Sequence, residues 1–263
     1  NDNFNNDDLA DKIKEWSKAP VPVDQACMNI FSNIHITQQY IELYHKTIGT
    51  HAHDKIRILF ELSSLGYGGT EKAIYTFIDN IDKNKFDVYL FFSTDYKTFP
   101  YYRRKIKSLF AKKAKERFIE KYTTYTTRLK DFQTILGESK VLIGESKYFF
   151  KIIKSIDIDI IHFNRGISET YYTKNVEQIP PHIKIIETNV FGKKANVHYL
   201  DRLDKMFFIS NWLVTQTPWV PQEKIQLLYN PIKLPSSITD LREHYGIPDN
   251  ALVLGRISRP NLD

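Results

Sequence analysis

The sequence predicts an α/β fold in which helices cover both faces of a parallel sheet, with a helical extension before it. Apolar runs of strand length alternate with segments of helical period, which is the pattern of a doubly wound parallel sheet. A glycine-rich turn joins the first run to a helix, and residues 1–54 show helical periods alone. The 263 residues, 42% of them hydrophobic, suffice for one full domain with a sizeable core and appendages.

The extension at residues 1–54 is expected to consist of two or three helices, with a proline-rich turn at residues 19–22 breaking them near the start. Its apolar positions include Trp16, Phe31 and Tyr40. We expect these side chains to cover apolar surface of the sheet domain.

Residues 56–78 predict a strand, a tight turn and the start of a helix in series. The apolar run at 56–60 fits a strand that is buried on both faces. Glycines at positions 66, 68 and 69 let the backbone turn and approach a ligand without a Cβ in the way. Thr70 is predicted to be the N-cap of the helix, with Glu71 near its positive end. The ligand of such a turn is polar or anionic.

The glycine spacing narrows the class of ligand. It lacks the third glycine of the dinucleotide pattern G-x-G-x-x-G, and it lacks the G-K-[ST] ending of a phosphate-binding P-loop. No lysine is therefore placed to hold a terminal phosphate, which argues against a nucleoside triphosphatase. The alternative is that the glycines serve only a tight turn.

Further strands are predicted at residues 86–92, 158–163, 183–187 and 205–209, with a last short strand and connector at 227–231. Ligands of a doubly wound sheet bind outside the carboxyl ends of its strands, so residues that follow strands are candidates. Arg165 is either a ligand of an acceptor phosphate or carboxylate, or a surface arginine. Glu187 is either a site group or a carboxylate at the edge of the core. A helix at 238–245 and a new strand at 251–257 are expected to begin a truncated second domain.

Six segments, in one order, carry a resemblance to a known family. They are LGYGGTEKAIYTFI at 65–78, DIDIIHFNRG at 157–166, KIIETNVFGK at 184–193, DKMFFISNWL at 204–213, KIQLLYNPI at 224–232 and ALVLGRISRP at 251–260. Together they resemble glycosyltransferase family 4, and the resemblance runs from about residue 55 to residue 263.

The resemblance implies the GT-B architecture, in which two Rossmann-like domains face each other across a cleft. Residues 55–235 then correspond to the acceptor-binding domain, and residues 236–263 to the start of the donor-binding domain. Residues 1–54 are either an accessory helical extension or the closing helices of a preceding transferase domain, which residues 28–48 resemble. The implied activity is transfer of a hexose, with retention, from a nucleotide sugar to a glycan or lipid-linked acceptor in polysaccharide or surface-glycan biosynthesis.

The resemblance also implies roles for single residues. Gly68, Gly69, Thr70 and Glu71 match the G-G-x-E loop that lines the cleft near the transferred sugar and its phosphates. Arg256 matches the arginine that pairs with the donor diphosphate, where a guanidinium binds oxygens bidentately. Glu71 is one of two residues for which we predict a catalytic role.

Asn189 is the second residue with a predicted catalytic role. Many members of the family carry a histidine just after this strand, whereas this chain has Thr188 and Asn189. An asparagine binds a hydroxyl but cannot act as a base, and retaining members are thought to work without a protein base close to the acceptor. The lysine that usually follows Arg256 and the later glutamate-rich donor motif lie outside residues 1–263, so we expect this stretch alone to be inactive.

The charge of the chain, +6 in all, suggests a membrane partner more than a nucleic acid. Residues 101–118 crowd arginines and lysines among aromatic side chains. This segment is predicted to touch an anionic membrane or a lipid-linked phosphate, the alternative being a solvated face. No helix-turn-helix, zinc or RNP pattern accompanies the charge, so no nucleic-acid partner is predicted.

We expect no cofactor and no metal beyond the nucleotide-sugar substrate. His51 and His53 form a pair without a third ligand cluster nearby, and His162 either faces the cleft or is a hydrogen-bonded core residue. The single Cys27 fits a reducing compartment, so a cytoplasmic protein with peripheral membrane contact is predicted.

Two other functions remain open from the sequence. One is an NAD(P)-dependent oxidoreductase, for which Asp95 is a displaced candidate to hold the ribose. The other is a non-catalytic module that binds a sugar or a lipid head.

Overall fold

The computed structural model describes residues 11, 28–49, 53–93, 126–144, 146–165, 171–234 and 241–253. The strands within them are β1 (Ile56–Leu62), β2 (Phe86–Ser93), β3 (Val141–Gly144), β4 (Ile160–Arg165), β5 (Lys184–Asn189), β6 (Lys205–Phe208) and β7 (Ile225–Leu227). The helices are α1 (Asn33–Ile48), α2 (Gly69–Asn80), α3 (Leu129–Leu136), α4 (Phe149–Ile156), α5 (Tyr171–Lys174), α6 (Val197–Arg202), α7 (Asn211–Thr215) and α8 (Arg242–Tyr245).

These seven strands form one sheet in the order β3-β2-β1-β4-β5-β6-β7, and every neighbouring pair is parallel. Helices α1, α2 and α3 pack on one face, and α4, α5, α6 and α7 pack on the other. Because both faces are covered, the strands are nearly continuous apolar runs. The predicted α/β class with a doubly wound parallel sheet is confirmed.

Strand β3 was not among the predicted strands. It has four residues, of which Val141 alone is buried, and it lies at one edge of the sheet beside β2. So short a run, with Ile143 exposed and two residues only partly buried, carries neither a clear alternation nor a continuous apolar pattern. The bounds of β1, β2, β4, β5 and β6 differ from the predicted ones by at most two residues, as is usual for strand ends, and β7 begins two residues before the predicted start of the last strand.

Helix α1 lies in the same compact unit as the sheet, residues 29–233. Ser32 caps it by accepting a hydrogen bond from the His35 N–H. Its buried residues Ile36, Tyr40 and Tyr44 recur every fourth position, which places them on one helix face. The predicted covering role of the N-terminal segment therefore holds for Tyr40. Phe31 is half-buried and packs edge-on against Tyr229, whereas Trp16 lies outside the described residues.

A second compact unit consists of residues 1–28 and 234–263. Its described part contains α8, which falls within the predicted helix at 238–245 and ends at Gly246 in the left-handed conformation. Arg242 Nη1 donates to the carbonyl oxygens of Pro248 and Ala251. Residues 251–253 form no strand, and the rest of the strand predicted at 251–257 lies outside the described residues. The predicted domain boundaries stay a prediction.

Candidate functional site

The strand order places a topological switch point between β1 and β4. From β1 the chain winds towards β2 and β3, whereas from β4 it winds towards β5, β6 and β7. Open α/β sheets bind ligands in the crevice outside the carboxyl ends of the strands at such a point. The turn at 63–68 and the start of α2 follow β1 directly, so the glycine-rich turn lies at this crevice.

Local hydrogen bonds fix the shape of that turn. The Gly66 N–H donates to Ser64 Oγ at 3.0 Å. The Arg128 N–H donates to the Leu65 carbonyl oxygen at 2.7 Å, which ties the turn to the start of α3. The Arg128 guanidinium also lies 5.0 Å from the centre of the Tyr67 ring, which is exposed. These bonds fix the backbone of the turn, while Tyr67 at its tip is exposed to solvent.

Helix α2 begins two residues earlier than the predicted N-cap implies. Gly68 is the N-cap, in an extended conformation, and Gly69 is the first helical residue, so the prediction that Thr70 is the N-cap is wrong. Glycine is a competent N-cap because it adopts extended dihedrals freely. Glu71 does lie in the first turn, as predicted. Its carboxylate folds back over Gly68, so that a Cβ at position 68 would collide with it.

The first N–H groups of α2 are left without helical partners. The first bond of the helix runs from the Lys72 N–H to the Gly68 carbonyl oxygen, and no side chain caps this end. The N–H groups of Gly69, Thr70 and Glu71 therefore point out of the helix start, where the helix dipole is positive. This end of α2 can bind an anion or a polar oxygen.

A small cavity adjoins the start of α2. It measures about 10 Å³, and its lining includes Thr70, Asn164, Thr188 and Asn230. Asn164 lies at the carboxyl end of β4 and is 5% exposed, yet neither its Nδ2 nor its Oδ1 has a hydrogen-bond partner in the structure. A buried amide without partners is costly. The sequence analysis did not single out Asn164, although its place directly before Arg165 at a strand end was a usable signal.

His162 belongs to the core and not to the crevice. It is fully buried, with its Nδ1 2.6 Å from the Tyr44 hydroxyl and its Nε2 2.8 Å from Thr188 Oγ1. Burial lowers the pKa of His162 to about 3, so the ring is neutral and offers one donor and one acceptor. Tyr40 bonds to the same Thr188 hydroxyl, and burial raises the pKa of Tyr40 to about 12. This network fastens α1 to β4 and β5.

Glu61 is a buried carboxyl near the carboxyl end of β1 that the sequence analysis missed. It pairs with Phe91 on β2 and with Phe163 on β4. The Tyr172 ring lies against both of those rings, at 6.4 Å and 5.7 Å between centres. Burial in this aromatic setting raises the pKa of Glu61 to about 8. A charged residue inside an otherwise apolar run was the signal that could have found it.

The predicted residues of β5 are buried beside this group. Glu187 is fully buried and pairs with Phe163, so it points to the same face of the sheet as Glu61. Asn189 is also fully buried; its Nδ2 donates to the Lys193 carbonyl oxygen at 2.8 Å, and its Oδ1 accepts from the Lys193 N–H at 3.0 Å. These contacts hold the loop that follows β5. The catalytic role of Asn189 stays a prediction.

The remaining predicted residues are described in part or not at all. The backbone of Arg165 ends β4 and pairs with Asn189, while its side chain, Arg256 and residues 101–118 lie outside the described structure. His53 is 3.2 Å from Asp157 Oδ2, in an ion pair if it is protonated. Among the described residues no cluster of His, Cys, Asp or Glu side chains is suited to a metal ion. Within the same part of the chain, no helix is both long and apolar enough to traverse a bilayer.

A larger groove lies elsewhere on the surface, along α5 and α6. It measures about 870 Å³, and its lining includes Lys174, Glu177, His198 and Arg202. None of the residues predicted from the sequence lines it. Arg202 donates to the carbonyl oxygens of Pro180 and Ile183, which gives this side chain a structural role. We place the candidate site at the switch point because chain topology and free polar groups coincide there.

Two solved structures resemble this fold at low sequence identity. Both are of an alpha-glucosyltransferase in complex with UDP and a 13-mer DNA containing a HMU base. The one at 1.9 Å resolution is 16% identical over 68% of this chain and 43% of its own, with a TM-score of 0.41. The one at 2.8 Å is 15% identical over 66% and 42%, with a TM-score of 0.36. This chain thus spans less than half the length of these structures, and the likeness concerns the fold alone.

No protein-family profile matches the chain, and no curated protein matches it either.

Proposed function

We propose that the chain provides the acceptor-side domain of a metal-independent, retaining glycosyltransferase of the family 4 type. The observation that carries this proposal is the start of α2, which lies at the switch point with its first N–H groups free of helical partners. A phosphate-bearing sugar donor offers the charge that such a helix start binds. The six-segment resemblance supplies the reaction class.

Each residue at the start of α2 would have its own contact with the substrates. The backbone of Gly68, Gly69 and Thr70 would bind donor phosphates or sugar hydroxyls, because a glycine backbone admits close approach. Glu71, folded over the helix start, would bind a hydroxyl of the transferred sugar. Asn164 would bind a second hydroxyl, since its amide is buried and unpaired beside Thr70 and a ligand group there would satisfy it.

The remaining roles complete the proposed cleft. Arg165 would contact the acceptor, and Arg256 would pair with the donor diphosphate. Glu187, predicted as a site group or a carboxylate at the edge of the core, is fully buried and would not touch the acceptor. Asn189 would position the loop after β5, through its two bonds to the Lys193 backbone, or contact the reacting groups directly. We propose a glycan or lipid-linked acceptor in polysaccharide or surface-glycan biosynthesis. A cytoplasmic site of action, with residues 101–118 touching an anionic membrane, belongs to the same proposal.

A dinucleotide-dependent oxidoreductase is the competing function, because the order of the first six strands is that of dinucleotide-binding sheets. The glycine spacing argues against it, since the third glycine of the dinucleotide pattern is missing. A module that binds a sugar or a lipid head without catalysis is the third candidate.

Calorimetric titration of the full-length natural protein with UDP-sugars, GDP-sugars and NADH separates these functions. Binding of a nucleotide sugar that falls at least tenfold in Glu71→Ala, and not in the exposed-residue control Glu138→Ala, would support the transferase. The sugar that binds would then serve as donor in product assays. Binding of NADH alone would support the oxidoreductase. If none of the three ligands binds, the non-catalytic binding module is favoured.

A further inference from the structure

The exposed Phe, Tyr and Trp side chains that the structure describes in the sheet unit follow the carboxyl ends of its strands. Among the described residues of the unit 29–233, those classed as exposed are Tyr67, Tyr148, Tyr171, Phe191 and Trp212, between 42% and 75% exposed. Each follows the carboxyl end of a different strand, namely β1, β3, β4, β5 and β6, by two to six residues. We call this set the aromatic rim. Tyr and Trp side chains that present an apolar ring and a polar group to solvent are enriched at interaction surfaces.

The local structure holds the members of the aromatic rim in place. Gly192 adopts a left-handed conformation, and a Cβ at this position would lie 3.3 Å from Leu213 Cδ2, so the loop that carries Phe191 lies near α7, which contains Trp212. Arg128 lies against the Tyr67 ring, and Lys147 lies 4.9 Å from the centre of the Tyr148 ring. Tyr171 packs against Phe150, which is buried. The rings are therefore supported from the protein side and open towards solvent.

The charge at this edge is cationic. The described segments that follow the strands contain one acidic residue, Glu71, and the lysines Lys72, Lys147, Lys174, Lys193, Lys194 and Lys233. At the opposite edge the charge is mixed. Acidic residues precede six of the seven strands, namely Asp54, Asp82, Glu138, Asp159, Asp204 and Glu223, and lysines lie among them, including Lys55, Lys85, Lys140 and Lys224. No exposed Phe, Tyr or Trp side chain lies at that edge among the described residues. Aromatic rings and positive charge thus coincide at the edge where the proposed site lies.

The shape of the aromatic rim favours a chain-like ligand. Strands β3 and β6 are five steps apart in the sheet, which spans roughly 24 Å at the usual strand spacing. Over these steps the normal twist of a sheet turns the rim by roughly 100–125°. A flat membrane surface cannot touch rings that turn so far, whereas a flexible oligomer can follow them. A single small sugar would meet only one or two of the rings.

We propose that the aromatic rim binds an acidic oligosaccharide, which is the acceptor of the proposed transferase. Pyranose rings present faces of C–H groups that stack on aromatic rings, and carboxylates on the sugar units pair with the lysines at the edge. Only the identification of this oligosaccharide as the acceptor rests on the proposed function. The oligosaccharide binds whether or not a nucleotide sugar is present.

Binding of oligogalacturonate, which carries one carboxylate on each sugar unit, tests this inference. The full-length protein is titrated by calorimetry with hexameric oligogalacturonate and with neutral maltohexaose, without any nucleotide sugar. We expect the acidic oligomer to bind several-fold more tightly, and its affinity to fall as salt is added. Trp212→Ala and Phe191→Ala should each weaken binding about three- to tenfold. His182→Ala, which removes an exposed ring at the opposite edge, should leave it unchanged.

Three results would overturn the inference: no binding of the acidic oligomer, equal binding of maltohexaose, or an equal loss in His182→Ala. Vesicles of phosphatidylcholine with and without phosphatidylglycerol provide a further arm. If the same two variants abolish binding to anionic vesicles and leave oligosaccharide affinity intact, the rim is a membrane contact instead. Oligosaccharide binding without any sugar transfer would refute the proposed transferase function, and the inference that the aromatic rim binds oligosaccharide would stand. Transfer that is unaffected by Trp212→Ala would refute the rim and keep the transferase.

Discussion

Replacement of Glu61 by glutamine should remove a strong pH dependence of stability. Burial raises the pKa of this carboxyl from 4.5 to about 8, so the folded protein holds its proton more tightly than the unfolded chain does. Below pH 4.5 the Glu61 carboxyl is protonated in both the folded and the unfolded state, so its ionisation does not affect the free energy of unfolding. As the pH rises towards 8, the unfolded chain ionises first, which stabilises the unfolded state by about 1.4 kcal/mol for each pH unit.

The magnitude follows from the window between the two pKa values. The loss should reach about 3 kcal/mol at pH 7 and about 5 kcal/mol at pH 8 or above, where the folded carboxyl ionises as well. Glutamine keeps the shape and a polar amide but cannot ionise. The free energy of unfolding of Glu61→Gln should therefore exceed that of the natural protein by an amount that grows with pH.

Urea unfolding followed by circular dichroism at pH 5, 6, 7 and 8 measures this difference. Other groups titrate in both proteins alike, so their contributions cancel in the difference between variant and natural protein. Glu138→Gln changes an exposed glutamate and serves as the control, for which the difference should stay near zero. A difference for Glu61→Gln that is flat from pH 5 to pH 8 would refute the assignment of Glu61 as a buried, protonated carboxyl.

Three more changes test the network, the helix start and the loop after β5. Tyr44→Phe should cost about 1–3 kcal/mol in urea unfolding, because it leaves a buried nitrogen of His162 without its partner; an unchanged midpoint would contradict the network. Gly68→Ala should displace the Glu71 carboxylate and weaken nucleotide-sugar binding in calorimetry, with little loss of stability. Gly192→Ala should cost about 1–2 kcal/mol, because its φ of 64° strains an alanine; normal stability would show that the loop relaxes.

Much of the sheet could be predicted because burial on both faces imposes a pattern on sequence. Strands β1, β2, β4, β5 and β6 are apolar runs whose composition alone identifies them. Edge strand β3 buries too little to leave such a trace. The start of α2 was predicted to within two residues. Thr70 was the predicted N-cap because threonine has a side chain that can accept a hydrogen bond from the helix start, which glycine lacks. Here the extended backbone of Gly68 took that place.

The candidate site was predictable in position and much less so in its contacts. Residues at the carboxyl ends of predicted strands lie at the ligand-binding edge of the sheet. This position is what predicted a site role for Arg165, Glu187 and Asn189. Which partner each side chain meets depends on packing between distant segments. The two bonds from Asn189 to the Lys193 backbone and the unpaired state of Asn164 are of this kind.

The bond between Tyr44 and His162 also sets an order of events during synthesis. The two residues are 118 positions apart, and a ribosome adds roughly 5–20 residues per second. Helix α1 therefore waits on the order of ten seconds before β4 exists to receive it. Its backbone bridge from Ser32 to Ile232 must wait longer still. Until then Tyr40 and Tyr44 can pack only against partners made earlier, such as Phe77 and Phe86.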